Sequence, residues 1–447
     1  FLMVTSYKND WILYALCYAY SVQNDKECFM SRPIIFHIDV NSAFLSWEAC
    51  YRINILGETN DLRNIPSVIG GDREKRHGIV LAKSTPAKKY KIQTGEAIVT
   101  ALQKCPDLVV VPPNYELYVT VSKAFMKILR EFSPLVEQYS IDEAYCDMTG
   151  TEELYGSPIA AATVLKDKIY EELGFTVNVG CSSNKLLAKM AGDLKKPNMV
   201  HSIFPEEIPD KMWPLDVREL FYVGRATEKK LRILGINTIG ELAHTDINIL
   251  RKHFKKHGEL IYNFANGFDF TPLADMAPPN KGYGNSVTIP VDATNTEDAK
   301  MVLLSLCETV GTRLRIDGMN ASCISVSITD CEFEYCTHQR NILTATNVTN
   351  ELYEVACTLF DELWDKKTPI RQLGVHTSKL TKGEFRQYNL FDMYKYDKFG
   401  KLDIAIDKIR NRYGEDSIKR ACFLASITTH MSGGIDKVKR TGITKGV

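Results

Sequence analysis

The stretch Leu135–Thr149, LVEQYSIDEAYCDMT, sets Asp142 and Glu143 side by side among apolar and β-prone residues. Adjacent carboxylates raise each other's pKa and resist burial unless a cation lies against them and reverses the penalty. Such a pair either stands in water at a strand end or has a cation-binding site folded around it. Tyr139 to Met148 alternates in strand fashion, and ideal pleating sends the two acids to opposite faces. Both reach one site only near a turn, a bulge or a sheet edge.

At 447 residues the chain is too long for one core, and usual domain sizes predict about three or four. Lys plus Arg equal Asp plus Glu at 55 each, so global charge names no partner and any nucleic-acid surface must come from local clustering. Twelve scattered cysteines without a C-x-x-C pair read as reduced core residues of a cytoplasmic protein. Cys331, Cys336 and His338 lack a fourth ligand for zinc. The most apolar stretch, Trp11 to Tyr20, is too short for a membrane span and lacks the marks of a signal peptide. Met30-Ser31-Arg32 directly precedes the first clear strand, so residues 1–29 read as an extension outside the functional fold.

Residues 34–40 form an apolar run ending in Asp39, followed by the capping types Asn41 and Ser42 and a helix from Ala43 to about Tyr51. An acid at the C-terminal end of a buried strand points to where α/β sheets place ligands. Strands are expected over 66–71 and 78–82. Lys83 to Lys91 then carries four lysines and two hydroxyls at a helix start, which suits phosphate. An amphipathic helix (114–132), the acidic stretch, a helix (158–173), a strand (175–181) and a capped helix (182–192) follow. This order predicts a ferredoxin-like sheet with helices on one face. Residues 205–270 read as short basic helices, with glycine turns at Gly224 and Gly235 that offer backbone N–H groups to a DNA phosphate. After a Pro/Gly linker (275–284), strands at 285–291, 323–329 and 341–345 frame two helices, an α+β unit. Gln387-Tyr388-Asn389-Leu390-Phe391 is an apolar anchor in a polar loop, followed by a helix over 401–413 and a basic tail.

Phe36-His37-Ile38-Asp39, Tyr139 to Tyr145, Gly180 to Lys189 and Lys195-Lys196-Pro197-Asn198, in that order, resemble a Y-family translesion DNA polymerase over residues 33 to 430. The resemblance implies a multidomain α+β right hand: a ferredoxin-like palm (30–65 and 112–204), fingers (66–111), a small helical thumb (205–274), a linker (275–284) and a little finger (285–380), with a clamp-binding segment and tail over 381–447. It implies a low-fidelity polymerase without proofreading, monomeric, acting in DNA repair on primer–template DNA and dNTPs. Asp39, Asp142, Glu143 and the Val40 carbonyl would hold two Mg2+ ions. Lys88 and Lys196, with Thr85, would meet the triphosphate, and Phe44 would be the aromatic that excludes a 2′-hydroxyl. Gly224, Arg225 and Gly235 would touch DNA, and Gln387, Leu390 and Phe391 would bind the bacterial sliding clamp. Two features depart from the family pattern: Lys88 stands where the polymerase IV branch has arginine, as in the UmuC-like branch, and Ala226 replaces a second thumb glycine. A nucleotidyl cyclase would share the two-acid palm but needs no thumb or gate. A catalytically degenerate DNA- and clamp-binding scaffold is the non-enzymatic alternative.

Overall fold

The computed structural model describes residues 32–71, 78–274, 279–382, 393–425, 428 and 430–431. The N-terminal extension and the segment carrying Gln387, Leu390 and Phe391 lie outside the described residues.

Strand β1 (Ile35–Val40) alternates large apolar and polar side chains. Phe36, Ile38 and Val40 enter the main core, whereas His37 and Asp39 face the other way. Helix α1 (Ala43–Asn54) leaves its end. A three-stranded sheet follows, ordered β3-β2-β4: β2 (Ser67–Gly70), β3 (Val80–Lys83) and β4 (Val109–Val111). One of its faces has a small core of its own around Val68, Val80 and Ile98, and the other packs on Leu45 and Ala49 of α1. Helix α1 therefore joins two sheets, with a cleft between them.

The chain then returns to the first sheet through α2 (Tyr115–Phe132), β5 (Val136–Gln138), β6 (Glu143–Asp147), α3 (Pro158–Leu173), β7 (Val177–Ser182), α4 (Lys185–Asp193) and β8 (Val200–Ser202). Asn114 caps α2 by accepting a hydrogen bond from the Leu117 N–H. The order β5-β6-β1-β7-β8 is the ferredoxin-like arrangement with β8 added in parallel beside β7. Helices α2 and α3 bury Phe125, Met126, Leu129, Leu165 and Ile169 against one face.

Helix α4 covers part of the opposite face and approaches it closely. A Cβ on Gly180 would lie 1.9 Å from the Ala188 carbonyl oxygen and 2.3 Å from the Gly192 nitrogen, so only glycine fits at that point of β7. Leu186, Leu187 and Met190 of α4 continue into the core of a helical unit. That unit includes α5 (Arg225–Ile233), α6 (Ile239–Ala243), α7 (Ile247–Phe254) and α8 (Lys256–Ala265).

Residues 282–382 form a four-stranded antiparallel sheet, β9 (Gly282–Ala293), β10 (Met319–Asp330), β11 (Tyr335–Thr346) and β12 (Ile370–Lys382), ordered β11-β10-β12-β9. Helices α9 (Thr296–Ile316) and α10 (Thr349–Leu363) cover one face. Three features differ from expectation. Strand β11 starts six residues before Asn341, because it is an edge strand whose exposed residues 335–341 carry no apolar alternation. Strand β12 has no counterpart among the expected strands. Helix α11 (Met393–Tyr413) also begins eight residues before the expected start. Among the described residues, no helix is long and apolar enough to cross a membrane.

Candidate active-site cleft

The acidic stretch is not one strand. Strand β5 ends at Gln138 and β6 begins at Glu143, with residues 140–142 in a bend. The Tyr139 and Ser140 N–H groups both donate to the Glu143 carbonyl at 3.0 Å. The Ser140 hydroxyl donates to Asp142 Oδ1 at 2.6 Å and accepts from the Glu143 N–H at 3.0 Å. A local side-chain bond of this kind competes with strand geometry, which is why the alternation of 139–142 does not become a ladder. The bend frees Asp142 from the pleat, and the Val40 N–H donates to its carbonyl at 3.1 Å, tying it to the end of β1.

Asp39 and Asp142 consequently line the same cleft, of about 460 Å³, together with Val40, Phe44, Thr85, Lys88 and Lys196. Burial pushes both carboxyls above the ordinary carboxylate range, with the Asp39 charge adding to the rise at Asp142 and the Glu143 charge adding to it at both. Lys196 offsets this at Asp39 by donating to Oδ2, and that contact in turn raises the Lys196 ammonium against the effect of its own burial.

Glu143 does not line the cleft. It is directly opposite Asp39 in the β1–β6 ladder, but Lys189 of α4 donates to its Oε2 at 2.9 Å and His37 lies 3.6 Å from the same oxygen. Burial would raise this carboxyl, but the contacts from His37 and Lys189 outweigh it and bring it down to about 2. His37 is itself held below its ordinary pKa by burial. Among the described residues no three Asp, Glu, His or Cys side chains form a ready-made metal cage.

The remaining polar wall comes from loops. Ser84 caps the short helix Thr85–Lys88 by accepting from the Ala87 N–H, which sets Thr85 and Lys88 on the cleft. Phe44 is stacked on Tyr118 with ring centroids 4.4 Å apart and planes 10° from parallel, and Tyr115 meets it edge-on. Asn178 and Arg63 escaped sequence reasoning, and Asn41, expected as a helix cap, has other partners. Asn41 donates to Asn178 Oδ1 at 3.0 Å and accepts from the Asn198 N–H at 2.9 Å, while Asn178 donates to the Lys195 carbonyl at 2.7 Å. This network ties the loop bearing Lys196 to the end of β1, and its one sequence signal is an asparagine inside the buried run Val177-Asn178-Val179. Arg63 also lines the cleft, held by Asp61 and by the Gly174 carbonyl at 2.7 Å.

Gly224, Arg225 and Gly235 lie away from this cleft. Gly224 is the N-cap of α5, and Gly235 follows it with φ +81°, the left-handed turn that leads toward α6. Cys336 and His338 lie on β11, where His338 faces Glu362 at 3.4 Å.

Three family profiles match the chain: the impB/mucB/samB family over residues 38–193, its C-terminal domain over 280–390, and the thumb domain described for DNA polymerase iota over 218–269. The chain is 44% identical to DNA polymerase IV of Clostridium acetobutylicum over 88% of its own length and 98% of the relative's. It is 37% identical to DNA polymerase IV of Acetivibrio thermocellus, covering 88% and 98%, and 35% identical to DNA polymerase IV 2 of Bacillus subtilis, covering 89% and 96%. Despite Lys88, these relatives carry the polymerase IV name. Among solved structures, a Y-family DNA polymerase chimera of Dbh and Dpo4 shares the fold with a TM-score of 0.68 at 23% identity, covering 78% of this chain and all of that one.

Proposed function

The chain belongs to the Y-family of translesion DNA polymerases, and from that premise we propose that its cleft adds dNTPs to a primer 3′-hydroxyl by a two-Mg2+ mechanism. The observation that carries the reading is the meeting of Asp39, Asp142, Phe44, Thr85, Lys88 and Lys196, spread over 158 residues of sequence, on one cleft. A buried and a half-buried carboxylate with raised pKa, the first neutralised by an ammonium group, fit a hard divalent cation. Mg2+ binds through one or two carboxylates plus substrate phosphates, so a full protein cage is not needed.

Asp39 and Asp142, with the Val40 carbonyl, would hold the ions, and Glu143 would join them on leaving Lys189. Bound there, the two ions supply Lewis-acid charge for the attacking 3′-oxygen and the leaving pyrophosphate. Lys88 and Thr85 from the three-stranded unit and Lys196 from the opposite wall clamp the triphosphate between them. Fixed cations on both sides orient the chain of phosphates and offset the charge that builds on the leaving group. Lys196 has two roles: it neutralises Asp39 in the free protein and turns to phosphate when nucleotide enters. Phe44, backed by Tyr118, is a rigid floor under the sugar that leaves no room for a 2′-hydroxyl.

The domain reading follows: residues 30–65 and 112–204 act as palm, 66–111 as fingers, 205–274 as thumb and 285–380 as little finger, with Gly224, Arg225 and Gly235 at a DNA phosphate. The protein works as a cytoplasmic monomer, with low fidelity and no proofreading. Gln387, Leu390 and Phe391 engage the sliding clamp. The test is primer extension on undamaged and lesion-bearing templates, with and without Mg2+, beside Asp142→Ala. Extension by wild type alone, and only with Mg2+, is expected. Absence of Mg2+-dependent extension by the wild type would overturn the reading in favour of a catalytically degenerate scaffold.

A further inference from the structure

Helix α11 is docked on the four-stranded unit through charge. Arg315 of α9 donates from Nε to Asp407 Oδ2 at 2.6 Å and from Nη1 to Asp403 Oδ2 at 3.2 Å, and the Thr349 N–H donates to Asp403 at 2.8 Å. Glu308 of α9 accepts from Arg410 at 3.1 Å and from Arg420 at 2.6 Å, with Glu308 and Arg410 each only 4% exposed. The usual polarity of a surface helix is therefore reversed. Asp403, Asp407 and Arg410 face inward, while Leu402, Ile409 and Tyr413 are 46%, 39% and 66% exposed.

The spacing orders what is left outside. Leu402, Ile409 and Tyr413 stand at i, i+7 and i+11, one row along the helix. Lys408 and Arg412 stand one residue before Ile409 and Tyr413 and form a parallel row round the helix, both exposed. The two cations stand about 6 Å apart along the axis at 1.5 Å per residue. The Arg412 guanidinium lies over the Tyr413 ring at 5.2 Å, so the two rows meet at an exposed aromatic. Of the acids between residues 398 and 425, Asp403, Asp407 and Glu415 are turned inward and Asp416 is held by Lys419. Among the described side chains of α11 from residue 402 to 413, the outer face is positive and apolar together. Two copies pairing through it would set like charges against each other, which disfavours self-association.

We propose that this outer face of α11 binds single-stranded nucleic acid outside the catalytic cleft, with phosphates along Lys408 and Arg412 and base faces on Leu402, Ile409 and Tyr413. A basic track beside an aromatic and apolar platform is the chemistry of sequence-tolerant single-strand binding. The site stands apart from the proposed polymerase chemistry, because none of these residues belongs to the cleft.

The experiment uses the full chain, a fluorescein-labelled oligothymidylate read by anisotropy, and a saturating unlabelled primer–template to fill the cleft, with primer extension run in parallel. Wild type should still bind the labelled strand. Lys408→Glu with Arg412→Glu should weaken that binding at least tenfold and lower the salt slope by about 1.4, two contacts at about 0.7 each. Tyr413→Ala should weaken it about tenfold. Both variants should keep wild-type melting and extension. The proposal is overturned if primer–template displaces the labelled strand completely, or if Lys123→Glu with Lys127→Glu on α2 weakens binding as much. It is also overturned if both α11 variants bind like wild type, which would leave the face to an acidic protein surface.

Discussion

Asp39 and Glu143 face each other across the β1–β6 ladder, yet each is held by a different lysine, Asp39 by Lys196 and Glu143 by Lys189. One carboxyl is pushed up and the other down, on neighbouring strands of one sheet face. Burial dominates at Asp39 and Lys196 offsets it only in part, whereas His37 and Lys189 together outweigh burial at Glu143, and this gives the two acids opposite pH behaviour.

Glu143 has its folded pKa depressed to about 2, below the usual 4.5, so its contribution to stability is present above pH 4.5 and is lost as pH falls toward 2. The stability advantage of wild type over Glu143→Gln should shrink through that window. Urea titrations of both proteins at several pH values between 2 and 6 check it.

Asp142 behaves in the opposite sense. Its carboxyl is raised above 3.8 chiefly by burial, so the fold loses stability as pH rises through that value, and the cost persists at neutral pH. Without divalent ions, Asp142→Asn should melt higher than wild type at pH 7, and the gap should close below pH 4. Its primer extension should fall by about a thousandfold or more. Calorimetry and single-turnover extension on the same preparation separate the two effects.

Phe44 packs on Tyr118, so truncation removes both a stack and a wall. Phe44→Ala should cost about 2 kcal/mol of stability, less than a fully buried phenylalanine, and should raise ribonucleotide insertion at least tenfold. Phe44→Leu keeps most of the packing and should fall between on both readouts. Sugar discrimination unchanged in Phe44→Ala would remove the gate.

Gly180 is where α4 touches the sheet, and a methyl group there meets backbone on both sides. Gly180→Ala should destabilise the protein by about 3 kcal/mol or more and displace Lys189 from Glu143. A shift of the Glu143 titration toward its ordinary value, followed by carboxylate NMR, accompanies that displacement if the contact sets its position.

Leu390→Ala with Phe391→Ala should abolish stimulation by the sliding clamp while leaving clamp-free, distributive synthesis unchanged. Loss of both activities would assign the segment a structural part.

Much of the sheet and the cleft could be read in the residues before any coordinates, for physical reasons that apply unevenly. The apolar run 34–40 and the amphipathic run 114–132 are local signals, and each becomes the element it predicts. The Asp142 bend is local too, but it depends on the Ser140 hydroxyl winning against strand pairing, which β-propensity does not show. The division of labour between Lys189 and Lys196 is not local at all. It arises because Gly180 admits α4 to the sheet and because Asn41 and Asn178 hold the 195–198 loop, contacts between residues up to 157 positions apart. Edge strand β11 lacked periodicity, and α11 carried the wrong kind, since its buried side is the charged one.

The alternation of β1 also divides the molecule's freedom to change. Its apolar positions 36, 38 and 40 pack on the helices beneath, and its polar positions 37 and 39 face Glu143 and the cleft above. Randomising one set while fixing the other would yield two libraries with separable failures, one of proteins that no longer fold and one of folded proteins that no longer turn over. A strand six residues long thus keeps selection for persistence and selection for reactivity from interfering with each other.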